Sequence, residues 1–82
     1  MTCAVITGGG EHDVSDAIGE DVDLYITGDA AHVVYHTCLE NKINMISAGH
    51  YRTEVYGVQN MAEKVSDELA LKTVFIDVPT GL

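Results

Sequence analysis

Apolar positions along this chain change period repeatedly. Cys3-Ala4-Val5-Ile6-Thr7 is a short apolar run that stops at Gly8-Gly9-Gly10, the pattern of a strand closed by a turn. Asp13 can cap a brief helix through Glu20, in which Val14, Ala17 and Ile18 recur at helical spacing. Val22 to Thr27 reads as a second strand ending at Gly28, and from Ala30 to Glu40 the residues Ala31, Val34, Tyr35, Cys38 and Leu39 form one apolar stripe of a second helix. Ile43 to Ser47 is a third strand. Val58, Met61, Ala62, Val65 and Leu69 then give the strongest helical periodicity of the chain, with Thr53 as its expected cap and Gly57 marking an irregular first turn. Lys72 to Val78, rich in β-branched residues and stopped by Pro79, predicts a fourth strand.

Four strands alternating with three helices imply an α/β fold with a mixed or mostly parallel sheet. The 82 residues form one domain, 1–82, without repeats, low-complexity tracts or a linker. A domain of this size buries only about 60–65% of the surface its unfolded chain exposes, so a metal or a partner subunit is the expected supplement to its stability. Cys3 and Cys38 form no CxxC and no disulfide framework. With no basic leader and no apolar run near the ~20 residues of a bilayer span, the expectation is a cytoplasmic protein with no membrane partner. Thirteen acidic against four basic residues, a net charge of −9, argue against nucleic acid as a partner, because phosphate contacts are made largely by Lys and Arg.

Candidate chemistry concentrates in Ala48-Gly49-His50-Tyr51-Arg52-Thr53-Glu54, where an imidazole leaves the end of a strand and a carboxylate follows four positions later. A divalent cation takes such a pair, one neutral nitrogen and one anionic oxygen ligand on rigid elements. The bland alternative is a turn histidine and an acid stabilising a helix N-terminus. Elsewhere, His32 and His36 share a helix face but lie beside its apolar stripe, as surface histidines do. Asp29 is first of all a helix cap, at a strand end where α/β proteins build their sites. Gly8-Gly9-Gly10 lacks both the GxGxxG pattern and a P-loop Lys, and reads as a tight turn needing positive φ. His12, in a glycine-flanked turn, carries no signal.

Taken together these stretches resemble the C-terminal part of the Nif-three-like (NGG-one-interacting factor three-like) family, which also goes by the name GTP cyclohydrolase I type 2 homologue. The similarity runs through Thr7-Gly8-Gly9-Gly10, Tyr25-Ile26-Thr27-Gly28-Asp29, the His50–Glu54 string, Gly57-Val58, Ala62-Glu63 and the closing Val74-Phe75-Ile76-Asp77-Val78-Pro79. The resemblance implies half of the family fold. It implies a dinuclear divalent-metal site (zinc, manganese, iron or similar) to which His50 and Glu54 contribute ligands. The family's other ligands, an adjacent histidine pair and an aspartate, belong to an N-terminal portion, and this chain has no such pair. Two functions follow as expectations. One is a metal-dependent hydrolase, or the metal-bearing half of one, of the GTP cyclohydrolase type 2 kind. The other is a non-catalytic metal-binding or oligomerisation module. The expected partners are further copies of the chain, or a separate chain carrying the missing half.

Overall fold

The structure, a computed structural model, describes residues 1–82. Three short strands, β1 (Cys3–Ile6), β2 (Leu24–Thr27) and β3 (Asn44–Ser47), pair in chain order in one sheet, and both pairings are parallel. Between them run a 3₁₀ turn (Gly10–Asp13) with helix α1 (Val14–Gly19), and helix α2 (His32–Glu40); helix α3 (His50–Leu69) follows β3. Each helix ends at or beside a left-handed residue, Asp21, Lys42 and Ala70, the usual way to release the last helical carbonyls.

Register decides where the core lies. Ala4, Tyr25 and Met45 stand side by side across the three strands, so they share one face of the sheet. Tyr25 is fully buried there, together with Val14 and Ala17 from α1, Val34 and Cys38 from α2, and Ile43. Its hydroxyl donates to the Gly10 carbonyl, so the one polar atom of the central side chain has a partner. Burial raises the Tyr25 phenol and the Cys38 thiol above their ordinary values; Cys38 is packing material, and both cysteines are free. The neighbouring row, Val5, Ile26 and Ile46, lies on the opposite face, and Val5 and Ile46 are exposed.

The expected fourth strand is absent. From Ala70 to Leu82 there is no regular structure, and Val74, Ile76 and Val78 are exposed. A β-rich sequence becomes a strand only when a sheet edge is within reach. Here α3, about 30 Å long at 1.5 Å per residue, leads away from the sheet. The returning chain lies along the helix: Thr73 and Val74 border the same hollow as Val58 and Met61. The Tyr51 hydroxyl then donates to Asp77 and accepts from the Val78 amide, at 3.0 Å.

Two local expectations for α3 also need correction. The helix begins at His50, with Gly49 at its cap, so Thr53 lies inside the first turn and Gly57 inside regular helix. The Thr53 hydroxyl instead accepts from the Gly8 amide and donates to the His50 carbonyl one turn back. No helix is long and apolar enough to cross a membrane.

Candidate metal centre

Three parallel strands end on the same edge of the sheet, and the loops that leave them are laced together there. The Gly8 carbonyl after β1 accepts from the amides of Gly28 and Asp29 after β2, both at 3.1 Å. The Gly28 carbonyl in turn accepts from the Gly49 amide at 3.0 Å and the Ser47 hydroxyl at 2.8 Å. The Thr53 hydroxyl accepts from the Gly8 amide at 2.9 Å and donates to the His50 carbonyl at 3.1 Å. Each loop is thereby held by the other two, and α3 starts from a fixed point.

Gly8 takes a left-handed conformation, φ +67°, and is buried. A Cβ built there would collide with the Glu54 carboxylate and lie 3.1 Å from His50 Nε2. The glycine thus does two jobs. It makes the turn, and it leaves the two side chains room to meet. Gly9 and Gly10 have ordinary φ, so the turn that the glycine triplet suggests needs positive φ only at its first residue.

The imidazole of His50 lies between two carboxylates. Its Nδ1 is 2.7 Å from Asp29 Oδ2, and its Nε2 is 3.4 Å from Glu54 Oε2. The hydrogen bond to Asp29 raises the histidine pKa above its ordinary 6.5; partial desolvation opposes this, and the charges of Asp29, Glu54 and Glu11 reinforce it. In the neutral ring, Asp29 accepts from Nδ1–H and leaves the Nε2 lone pair facing Glu54.

That arrangement fits a cation. Two ligands each about 2.0–2.2 Å from a tetrahedral ion stand roughly 3.4 Å apart, which is the Nε2–Oε2 separation seen here. Asp29 sits on the other side of the ring, where a carboxylate fixes the tautomer and orientation of a metal-ligating histidine. No three His, Cys, Asp or Glu side chains of the chain group to hold an ion; the Asp29 carboxylate meets Nδ1, whereas Glu54 faces Nε2.

The structure brings His50 and Glu54 within 3.4 Å of each other, and it corrects the reading of Asp29 as a helix cap. Asp29 does not cap α2, whose N-cap is Ala31 without a side-chain bond; its carboxylate turns to His50 instead. The only signal for this was its position just past the end of β2. His32 and His36 are exposed on α2, their rings edge to face at 5.8 Å, and neither takes part in the contacts of His50, Asp29 or Glu54. His12 is exposed beside Glu11, 3.6 Å away.

A family model described as Duf34/NIF3 (NGG1p interacting factor 3) matches residues 1–81. The GTP cyclohydrolase 1 type 2 homolog of Treponema pallidum is 44% identical over 69 residues, covering 84% of this chain and 24% of that protein. That of Archaeoglobus fulgidus is 40% identical over 79 residues, covering 96% and 32%. Among solved structures, protein ybgI, described as of unknown function, superposes with a TM-score of 0.90 at 32% identity, over 95% of this chain and 32% of that one. TTHA1606 from Thermus thermophilus gives 0.87 at 38% identity, over 95% and 31%. The chain spans about a quarter to a third of the length of these relatives.

Proposed function

The chain belongs to the Duf34/NIF3 family, and from that premise we propose that it contributes His50 and Glu54 as ligands to a divalent-metal site of a metal-dependent hydrolase. The observation that carries this reading is the His50 ring itself. One nitrogen is held by Asp29 at 2.7 Å and the other faces Glu54 at the spacing an ion would need. His50 supplies the nitrogen donor, Glu54 the anionic oxygen, and Asp29 the acceptor that holds Nδ1–H, so that in the neutral ring the free lone pair lies on Nε2 and is aimed at Glu54. Gly8 and Thr53 hold the strand end and the helix start in register. A divalent cation held there supplies Lewis acidity for hydrolysis. The names of the relatives, GTP cyclohydrolase 1 type 2 homologs, suggest a nucleotide ring as what the assembled protein opens. Two protein ligands leave a coordination sphere for water and for donors from another chain or another part of the protein.

The test is a calorimetric titration with manganese or zinc at two pH values. A protonated ring cannot ligate, and the histidine pKa lies above 6.5, so protons already compete with the ion above that pH. Metal affinity is expected to fall steadily as pH is lowered from about 8 through 6. In the metal-free protein the sign reverses. The bond between protonated His50 and its carboxylates stabilises fully below about 6.5 and is lost as pH rises through the raised pKa. Metal affinity that does not change with pH would remove His50 from the ligand set.

One observation favours the second reading, an assembly module. The sequence is 46% apolar, yet only 11 of 82 residues are buried. Val58, Met61 and Leu69, three positions of the periodic α3 stripe, are all more than half exposed. Surfaces of this kind are ordinarily covered by partners. Sedimentation velocity at micromolar concentration is expected to show species larger than 8.8 kDa; a single monomer with a cooperative melt would count against this.

A further inference from the structure

Arg52 is the only arginine among four basic side chains, in a chain with thirteen acids. In such a chain a carboxylate partner is the ordinary expectation for a guanidinium, and Lys64, for comparison, meets Glu68. Arg52 makes no ion pair and no hydrogen bond through its side chain. Asp77, which borders one hollow beside it, is engaged by the Tyr51 hydroxyl.

On its other side Arg52 lines a cleft of about 560 Å³ with Thr7, Thr53, Tyr56 and Val5. The adjoining hollow, lined by Glu54, shares Thr7, Thr53 and Gly57 with this cleft. Arg52 and Glu54, both exposed, therefore line two neighbouring shallow hollows near the carboxyl ends of the strands, with Thr7, Thr53 and Gly57 common to both. The wall between them is built from small and hydroxylated residues. Tyr56 is 64% exposed, so its ring is free for contact, and Val5 adds an apolar surface.

We propose that Arg52, assisted by Thr7 and Tyr56, is the anion-recognition group of this cleft and binds the phosphate of a phosphate monoester whose remainder is a planar ring. This deepens the metal-site reading, and rests on it for the idea that the ligand's other end is presented toward His50 and Glu54. A guanidinium offers a planar fork of donors that matches two phosphate oxygens, and it stays charged at any working pH. The Thr7 hydroxyl is a further donor at the cleft, and the Tyr56 ring offers a face for stacking. With a net charge of −9 the chain repels anions at a distance, so a single unpaired cation at the rim of a cleft decides where one can settle.

The experiment uses the full 82-residue chain, phenyl phosphate as probe and benzyl alcohol as its uncharged control, followed by amide NMR shifts. Phenyl phosphate is expected to move the amides of Thr7, Arg52, Thr53 and Tyr56, and benzyl alcohol to leave them in place. Arg52→Gln is expected to weaken binding roughly tenfold or more, with Arg52→Lys recovering part of it as a point charge without the fork. The amide spectrum of each variant shows whether it is folded. Wild-type affinity in Arg52→Gln, or shifts confined to α2, would overturn the assignment. A separate zinc titration keeps the two readings apart. Zinc that leaves the His50 ring unmoved, while phenyl phosphate still depends on Arg52, sinks the metal reading and leaves this one standing. Zinc bound at His50 with phenyl phosphate indifferent to Arg52 does the reverse.

Discussion

His50→Ala is expected to abolish detectable binding of manganese or zinc, while the double variant His32→Gln, His36→Gln keeps the metal stoichiometry unchanged. The chain offers two converging donors, so losing the nitrogen leaves a lone carboxylate, which water outcompetes easily. The geometry sets the order of the remaining variants. Glu54→Gln keeps the shape, removes the charge, and is expected to weaken binding about tenfold or more. Asp29→Asn keeps a group at the 2.7 Å contact with Nδ1 but takes away the anion that fixes the tautomer. Outer partners of that kind are worth roughly 10- to 100-fold in metal affinity. Titration calorimetry of the four variants at one pH near 8 checks the ranking. Metal loss in the His32/His36 double variant equal to that of His50→Ala would move the site to α2 and end the present assignment.

Gly28→Ala should be the most damaging single-methyl change in the molecule. A Cβ at this position would lie 2.5 Å from the Gly8 carbonyl oxygen, 2.8 Å from His50 Cα and 2.9 Å from Thr53 Oγ1. Two of these three are backbone atoms and cannot rotate away. Relief requires moving β2's exit loop from its neighbours, which breaks the amide bonds of Gly28 and Asp29 to Gly8 and pulls His50 from its place. Overpacking costs about 1–3 kcal/mol or more, and each backbone bond lost adds about 1 kcal/mol. Against a total stability of roughly 5–15 kcal/mol, that is a large fraction. Gly57→Ala is the control. Nothing lies within 4 Å of a Cβ there, and alanine in a helix interior gains about 0.5–1 kcal/mol. Urea midpoints followed by far-UV circular dichroism are expected to move in opposite directions for the two variants. A Gly28→Ala midpoint equal to wild type would show that the strand-end loops are not mutually locked.

Periodicity made most of this fold legible. The helical recurrence of Val34 and Cys38, and of Val14 and Ala17, marks side chains that are buried, because a helix packed on a sheet must turn one stripe inward. The alternation of strand and helix was enough to imply parallel pairing, since each crossover returns the chain in the same direction. The stripe of α3 misleads on the same logic. Val58, Met61 and Leu69 recur at helical spacing yet face outward, so the pattern reports an apolar face without saying what covers it.

Residue order alone was enough for the succession of elements through α3, the α/β class, the family, and the proximity of His50 and Glu54. The pair was expected to converge across the turn between strand end and helix start. They do meet, but because α3 begins at His50, so that four residues along a helix bring both side chains to one face. The turn of Asp29 from its expected cap to the imidazole, across twenty-one positions, emerged only in three dimensions. So did the roles of Gly8 and Gly28 as contact points of three loops, and the failure of Lys72 to Val78 to find a strand to pair with. A hydrogen bond between strand ends, a missing Cβ at a close approach and a ladder partner are properties of distance through space. Residue type and spacing carry no record of them.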